Sequence, residues 1–223
     1  MAGTSREPSE AQHPHGVPPR RADQTGHGEH GHRTHRFDPA NIARLIGEER
    51  RALLPPLETL QAAGLAPGQT VVDLGCGPGY FTLPAAELVG EHGKVYGVDV
   101  QPEMVDACRR RAAEAGATRV EVVRSDETRI PLPDAIADRV LLAFVLHEAD
   151  DQHALLREVR RLLKPGGEVA CIEWRKQEGP PGPPREHRLS EEEVAALAGA
   201  AGLRMIGRHS LNDYHYLLRL GAG

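Results

Sequence analysis

Two acids and three alternate glycines are the residues of this chain whose types and spacing point first to chemistry. They begin in Val71-Val72-Asp73-Leu74-Gly75-Cys76-Gly77-Pro78-Gly79, a short apolar run of β type that ends in an acid and a glycine loop. Glycines let a backbone turn sharply and approach a bound molecule with no Cβ in the way, which suits a nucleotide-like ligand. A dinucleotide loop needs glycine at its first, third and sixth positions, and counting from Gly75 the sixth is Tyr80, so a nicotinamide ligand is disfavoured. The second acid, Asp99, comes 20 residues after Gly79. There a carboxylate can accept hydrogen bonds from both hydroxyls of a ribose, or else cap the helix that opens near Pro102. Ser125-Asp126-Glu127 closes a later apolar run and could read an adenine edge. His147 and Glu148 follow another such run. An imidazole titrates near neutrality, so His147 is a candidate base or a wall of the pocket. Glu148 is a second base, a substrate anchor or a helix-entry carboxylate.

The elements that must position these residues alternate along the chain. Strands are predicted over 70–74, 94–99, 120–124, 137–144 and 168–174, and helices over 80–89, 102–115, 150–163 and 190–201. Ser190 and Glu193 have the spacing of a capping box. Leu163-Lys164-Pro165-Gly166-Gly167 is expected to stop a helix and turn the chain into the fifth strand. Residues 203–210 and 214–220 read as a closing hairpin. Strands alternating with helices imply an α/β fold with a largely parallel sheet covered on both faces. Ligands of such sheets bind at the carboxyl ends of the strands, where the acids and glycines named above fall.

At 223 residues, with 39% hydrophobic content and a net charge of −5, the chain suits one domain with a tail. Its longest apolar run, Val140 to Leu146, is far too short to cross a bilayer, and the first residues lack the apolar core of a secretory signal, so a cytoplasmic location is expected. Cys76, Cys108 and Cys171 are few, scattered and free of C-x-x-C pairing, which argues for reduced thiols and against a structural metal. No metal site is expected. The acidic balance and the scattered arginines argue against a nucleic-acid partner; the one run, Arg109-Arg110-Arg111, reads as a solvated helix face. Residues 1–35 are rich in Pro, Gly, Ser and His and lack apolar periodicity, and are expected to be a disordered tail holding half of the 12 histidines. Residues 36–66 read as a helical cap broken at Pro55-Pro56, and 67–223 as the main domain.

The spacing of Asp73, Gly75, Gly77, Gly79, Asp99, Asp126 and the Leu-Lys-Pro-Gly-Gly turn resembles the class I S-adenosylmethionine (SAM)-dependent methyltransferases. The likeness runs from about 37 to 220, is closest over 69–174, and leans towards the branch with the ubiquinone and menaquinone enzymes. It implies a Rossmann-like sheet of order 3-2-1-4-5-7-6 with the seventh strand antiparallel. It also implies SAM as cofactor, with Asp73 and the backbone of Gly75, Cys76, Gly77 and Gly79 at the methionine end, Asp99 and Val100 at the ribose, and Asp126 and Glu127 at the adenine. The expected reaction is in-line methyl transfer to a small-molecule acceptor. Protein or RNA acceptors, or non-catalytic SAM binding, are the alternatives. Acceptor choice is expected to come from the cap, the proline-rich linker 176–187 and the tip Asp213-Tyr214-His215-Tyr216.

Overall fold

The structure is a computed structural model that describes residues 41–127, 129–179 and 181–222; the expected tail, its histidines and the first residues of the cap lie outside the described residues. The strands are β1 (Thr70–Leu74), β2 (Lys94–Asp99), β3 (Val120–Arg124), β4 (Ala137–Ala143), β5 (Leu163–Trp174), β6 (Leu203–Ser210) and β7 (His215–Ala222). They form one sheet of order β3-β2-β1-β4-β5-β7-β6. The first five run parallel, and β7 inserts antiparallel between β5 and β6. The order reverses beside β1, whose neighbours are β2 and β4, and this opens a crevice at the carboxyl ends of those strands.

The central strands read as continuous apolar runs because both faces of the sheet are buried. Val71, Leu141, Ile172 and Leu217 point to one face, against Leu60 and Ala85. Their chain neighbours Val72, Leu142, Cys171 and Leu218 point to the other, against Leu156, Val159 and Val194. Burying each such large aliphatic side chain stabilises the fold by roughly 1.5–3 kcal/mol before entropy is counted.

Three short cap helices, α1 (Ile42–Ile46), α2 (Glu48–Leu53) and α3 (Pro56–Ala62), precede the sheet, and α3 starts with proline in its first turn. The crossovers carry α4 (Thr82–Val89), α5 (Pro102–Glu114) and α6 (Gln152–Leu162), and α7 (Glu191–Ala200) leads into β6. Asp151 caps α6 by accepting from Ala154 N at 2.8 Å, and Ser190 and Glu193 close the expected capping box on α7.

One expectation needs correcting. The Lys164–Gly167 turn is not a separate connection ahead of the fifth strand. Leu163 already pairs with Ala137, and the register then jumps so that Arg139 faces Glu168, which makes the turn a bulge inside β5. Gly166, at φ 77°, supplies the left-handed backbone that the bulge needs. At that same end of the sheet Glu168 is gripped by Arg139 and Arg219, and Arg139 also donates to Gly64 O at 2.8 Å.

Candidate functional site

A cavity of about 490 Å³ lies over the carboxyl ends of the parallel strands, roofed on one side by Arg50, Leu53 and Leu54 of the cap. Its floor is the glycine loop. Gly75, Gly77 and Gly79 have φ of 67°, 53° and 83°, in the region that costs a residue with a Cβ about 1–2 kcal/mol. At Gly75 a Cβ would also sit 2.4 Å from Val145 Cγ2, so the loop and the segment after β4 touch only because this residue has no side chain. Gly75 N and Cys76 N both donate to Val98 O, at 2.8 and 3.0 Å, which ties the loop to β2. Gly77 N then donates to Asp99 Oδ2 and Gln101 N to Asp99 Oδ1, each at 2.9 Å. Asp99 is thereby fixed at the lip of the loop, buried to 7% exposure.

Asp73 faces α4 beneath the loop and accepts the Thr82 hydroxyl hydrogen bond at 2.6 Å. Burial pushes its carboxyl up to about 7, against the opposing pull of that hydrogen bond. Cys76 lines the cavity, but hydrogen bonding to Cys108 and burial hold its proton on, so it acts as a filler and not as a nucleophile. Val100 also lines the cavity.

Two of the expected contacts lie elsewhere. Asp126 is exposed and is not part of the cavity wall; its neighbours Ser125 and Glu127 are. Successive side chains of an extended chain point to opposite sides, so residues 125 and 127 face inwards together and 126 faces out. Glu127 Oε1 accepts from Asp150 N at 2.6 Å, which anchors the entry to α6. Gly79 is not part of the wall either. It is the point where the loop passes Cys108, and a Cβ there would lie 2.9 Å from the Cys108 sulfur.

The opposite wall is built from the ends of β4, β5 and β7. His147 sits in a short 3-10 turn, Leu146–Glu148, and its Nδ1 lies 2.7 Å from Oε2 of Glu173. The other oxygen of Glu173 accepts from His147 N at 3.2 Å. With Nδ1–H donated to the carboxylate, Nε2 is the lone-pair nitrogen of the neutral ring. Burial alone lowers the His147 pKa, yet the charge and hydrogen bond of Glu173, with help from Glu148, outweigh it and leave the pKa raised. Glu148 Oε1 stands 3.9 Å from Nε2. No expectation from the sequence paired Glu173 with His147. The available signal was an acid closing the apolar run Val169–Ile172, where a wholly buried carboxylate needs a partner.

The cap, the linker and the hairpin all reach the cavity, through Arg50, Pro181–Pro183 and His215. The linker is held by Arg188, 2% exposed, whose guanidinium donates to the carbonyls of Arg175, Gly179, Pro181 and Pro183. Gly182 thereby lies against Trp174, where a Cβ would come within 2.7 Å of the indole. Neither this staple nor the inward turn of Arg50 had a sequence signal. Among the described residues no three His, Cys, Asp or Glu side chains form a metal-binding group, and no helix is long and apolar enough to cross a membrane.

Comparison with known proteins agrees with this geometry. Residues 71–167 match a family described as "Methyltransferase domain". A demethylmenaquinone methyltransferase of Geobacillus sp. (strain WCH70) is 32% identical over 124 residues, covering 56% of this chain and 53% of the relative. One of Listeria monocytogenes serotype 4a (strain HCC23) is 34% identical over 116 residues, covering 52% and 49%. The chain spans about half the length of these curated relatives. The crystal structure of a SAM dependent methyltransferase from Aquifex aeolicus superposes with a TM-score of 0.81 at 37% identity, covering 84% of this chain and 100% of the other.

Proposed function

Because the chain belongs to the SAM-dependent methyltransferases, we propose that it transfers the methyl group of SAM to a small-molecule acceptor, with His147 as the base. The observation that supports this reading most is the His147–Glu173 pair, set in the wall of the same cavity whose floor is the glycine loop. Expected roles follow from the chain's own groups. The residues present fit SAM: the Gly75–Pro78 backbone puts no bulky side chain over the floor, and two buried carboxyls, Asp73 and Asp99, suit a molecule with a positive sulfonium and an ammonium group. Asp99 and Val100 would hold the ribose, Ser125 and Glu127 the adenine edge, and Asp73 with the loop backbone the methionine end.

SAM supplies an electrophilic methyl carbon, and displacement by the acceptor's nucleophilic atom needs alignment more than it needs catalytic groups. The chain's part is to exclude water and take the acceptor's proton. Nε2 of His147 would receive that proton while Glu173, hydrogen-bonded at Nδ1, fixes the tautomer and steadies the imidazolium that results. Glu148, beside Nε2, adds negative charge that favours the protonated ring. The small size of the cavity, about 490 Å³ for donor and acceptor together, favours a small molecule over a protein or RNA segment.

Calorimetry with S-adenosylhomocysteine tests the donor half. Asp99→Ala should weaken binding about 10- to 100-fold, the loss of one or two hydrogen bonds to a charged group. An unchanged affinity removes Asp99 from the site. Release of S-adenosylhomocysteine from SAM, screened against phenols, aromatic acids, amines and thiols, tests the acceptor half. Tight donor binding with no turnover on any class would leave a SAM-binding protein without transferase activity.

A further inference from the structure

Between the cap and the tips of β4, β5 and β7 stands a group of rings that the donor does not account for. Phe144, Trp174 and His215 touch one another, with ring centroids 5.3, 5.0 and 4.2 Å apart. Arg50 lies above two rings, its guanidinium carbon 4.5 Å from the centre of Tyr80 and 5.4 Å from that of Phe144.

Three features separate this group from ordinary core. Phe144 has φ of 63°, a left-handed backbone that a bulky residue adopts only under strain, and strain of this kind collects at ligand sites. His215 is 2% exposed, yet neither ring nitrogen has a hydrogen-bond partner. An unpaired buried polar group is destabilising, a penalty that a ligand's hydroxyl or carboxyl can remove. Arg50 forms no ion pair or side-chain hydrogen bond among the described residues; its contacts are ring faces, and Asp73 acts on it through space. Burial, with the surrounding charges of Arg50, Arg175 and Arg188, drives the His215 pKa down to about 4, so the ring is neutral at pH 7 and the local potential is positive.

We infer that this pocket seats the methyl acceptor and that the acceptor is a planar aromatic acid. Its ring would lie against Phe144 and Trp174, its carboxylate near Arg50, and a polar substituent would reach a nitrogen of His215. The aromatic wall supplies area at little entropy cost, and the desolvated cation supplies the preference for an anion. Calling the ligand the acceptor rests on the methyltransferase reading; the preference of the pocket does not.

Trp174 is the chain's only tryptophan, so its fluorescence reports occupancy directly. The probes are 4-hydroxybenzoate and its neutral amide, titrated into the full chain with S-adenosylhomocysteine present. The acid should bind at least tenfold more tightly than the amide. Arg50→Met should erase that preference by weakening the acid about tenfold, Arg50→Lys should restore part of it, and neither should move S-adenosylhomocysteine affinity more than about threefold. His215→Phe keeps a ring in the wall and should weaken 4-hydroxybenzoate several-fold. Equal binding of acid and amide overturns the inference, as does no binding of either. An Arg50→Met variant that loses S-adenosylhomocysteine and not the acid also overturns it, by assigning the arginine to the donor. If the wild type fails to bind S-adenosylhomocysteine but still prefers the acid, the methyltransferase reading falls and the pocket stands.

Discussion

The floor and the far wall of the cavity are built on opposite plans. On the floor, Asp73, Asp99 and the amides of Gly75, Cys76 and Gly77 are tied to one another, to Thr82 or to β2. On the wall, His215 is buried with neither ring nitrogen paired, and the half-buried Arg50 has ring faces for partners. A saturated region keeps its shape when empty and binds by fit. An unsaturated one gains most of its stabilisation from the ligand and is therefore selective about that ligand's chemistry. The ion cluster at the other end of the sheet marks the contrast: Glu168 holds two arginines, Arg139 and Arg219, and ties β4, β5 and β7 together.

The contrast is open to test, with the largest effect expected where the two plans meet. Glu173→Gln should cut kcat about 10²- to 10⁴-fold and leave SAM affinity unchanged. The pH profile adds a sign. A base works as neutral imidazole, so kcat should rise as pH climbs through the raised His147 pKa, and loss of the Glu173 charge should move that rise to lower pH. A variant that loses donor affinity in step with turnover would erase the division between floor and wall.

Next in size is Asp73→Asn. A carboxyl held at about 7 when folded and near 3.8 when unfolded binds its proton more tightly in the native state. Its contribution to stability is complete below about 3.8 and is lost as pH rises through about 7. Relative to the asparagine variant, the wild type should lose on the order of 2–4 kcal/mol between pH 4 and 8, read from urea midpoints. Parallel pH curves for the two proteins would show that the floor carries no such charge.

The smallest effect belongs to Arg188→Lys. An ammonium cannot reach four carbonyls as a guanidinium does, so the linker should loosen by about 1 kcal/mol. The acceptor KM should rise about fivefold while SAM affinity holds, which initial-rate kinetics would show. A larger change in SAM affinity would mean that the linker serves the floor.

The same division governs what could be read from the sequence. The floor comes from contiguous residues, 71–79, and from acids at the ends of predicted strands, so spacing and the family likeness together pointed to it. The parallel sheet and the terminal hairpin followed from the pattern of elements, and the sheet order from the family likeness. The differences were local. Pleat direction decided between Asp126 and Ser125, and packing against Cys108 turned Gly79 away from the cavity. The wall draws on a cap helix, three strand ends and a linker far apart in the chain. Arg50 on α2 looks like any surface arginine, since that helix contributes no wholly buried residue. Only the folded chain shows which rings it covers.

The backbone at Phe144 has a consequence for descent. Glycine or asparagine would occupy φ of 63° more cheaply than phenylalanine, so every copy of this protein carries a standing penalty to keep a ring there. A ring kept at that cost supports the seat we propose for the acceptor. In a lineage whose acceptor does not use the proposed aromatic seat, position 144 should be among the first in the cavity to drift, while Gly75, fixed by its contact with Val145, should not. Residue 144 would thus serve as a marker, readable in any related sequence, of whether the proposed aromatic seat is in use.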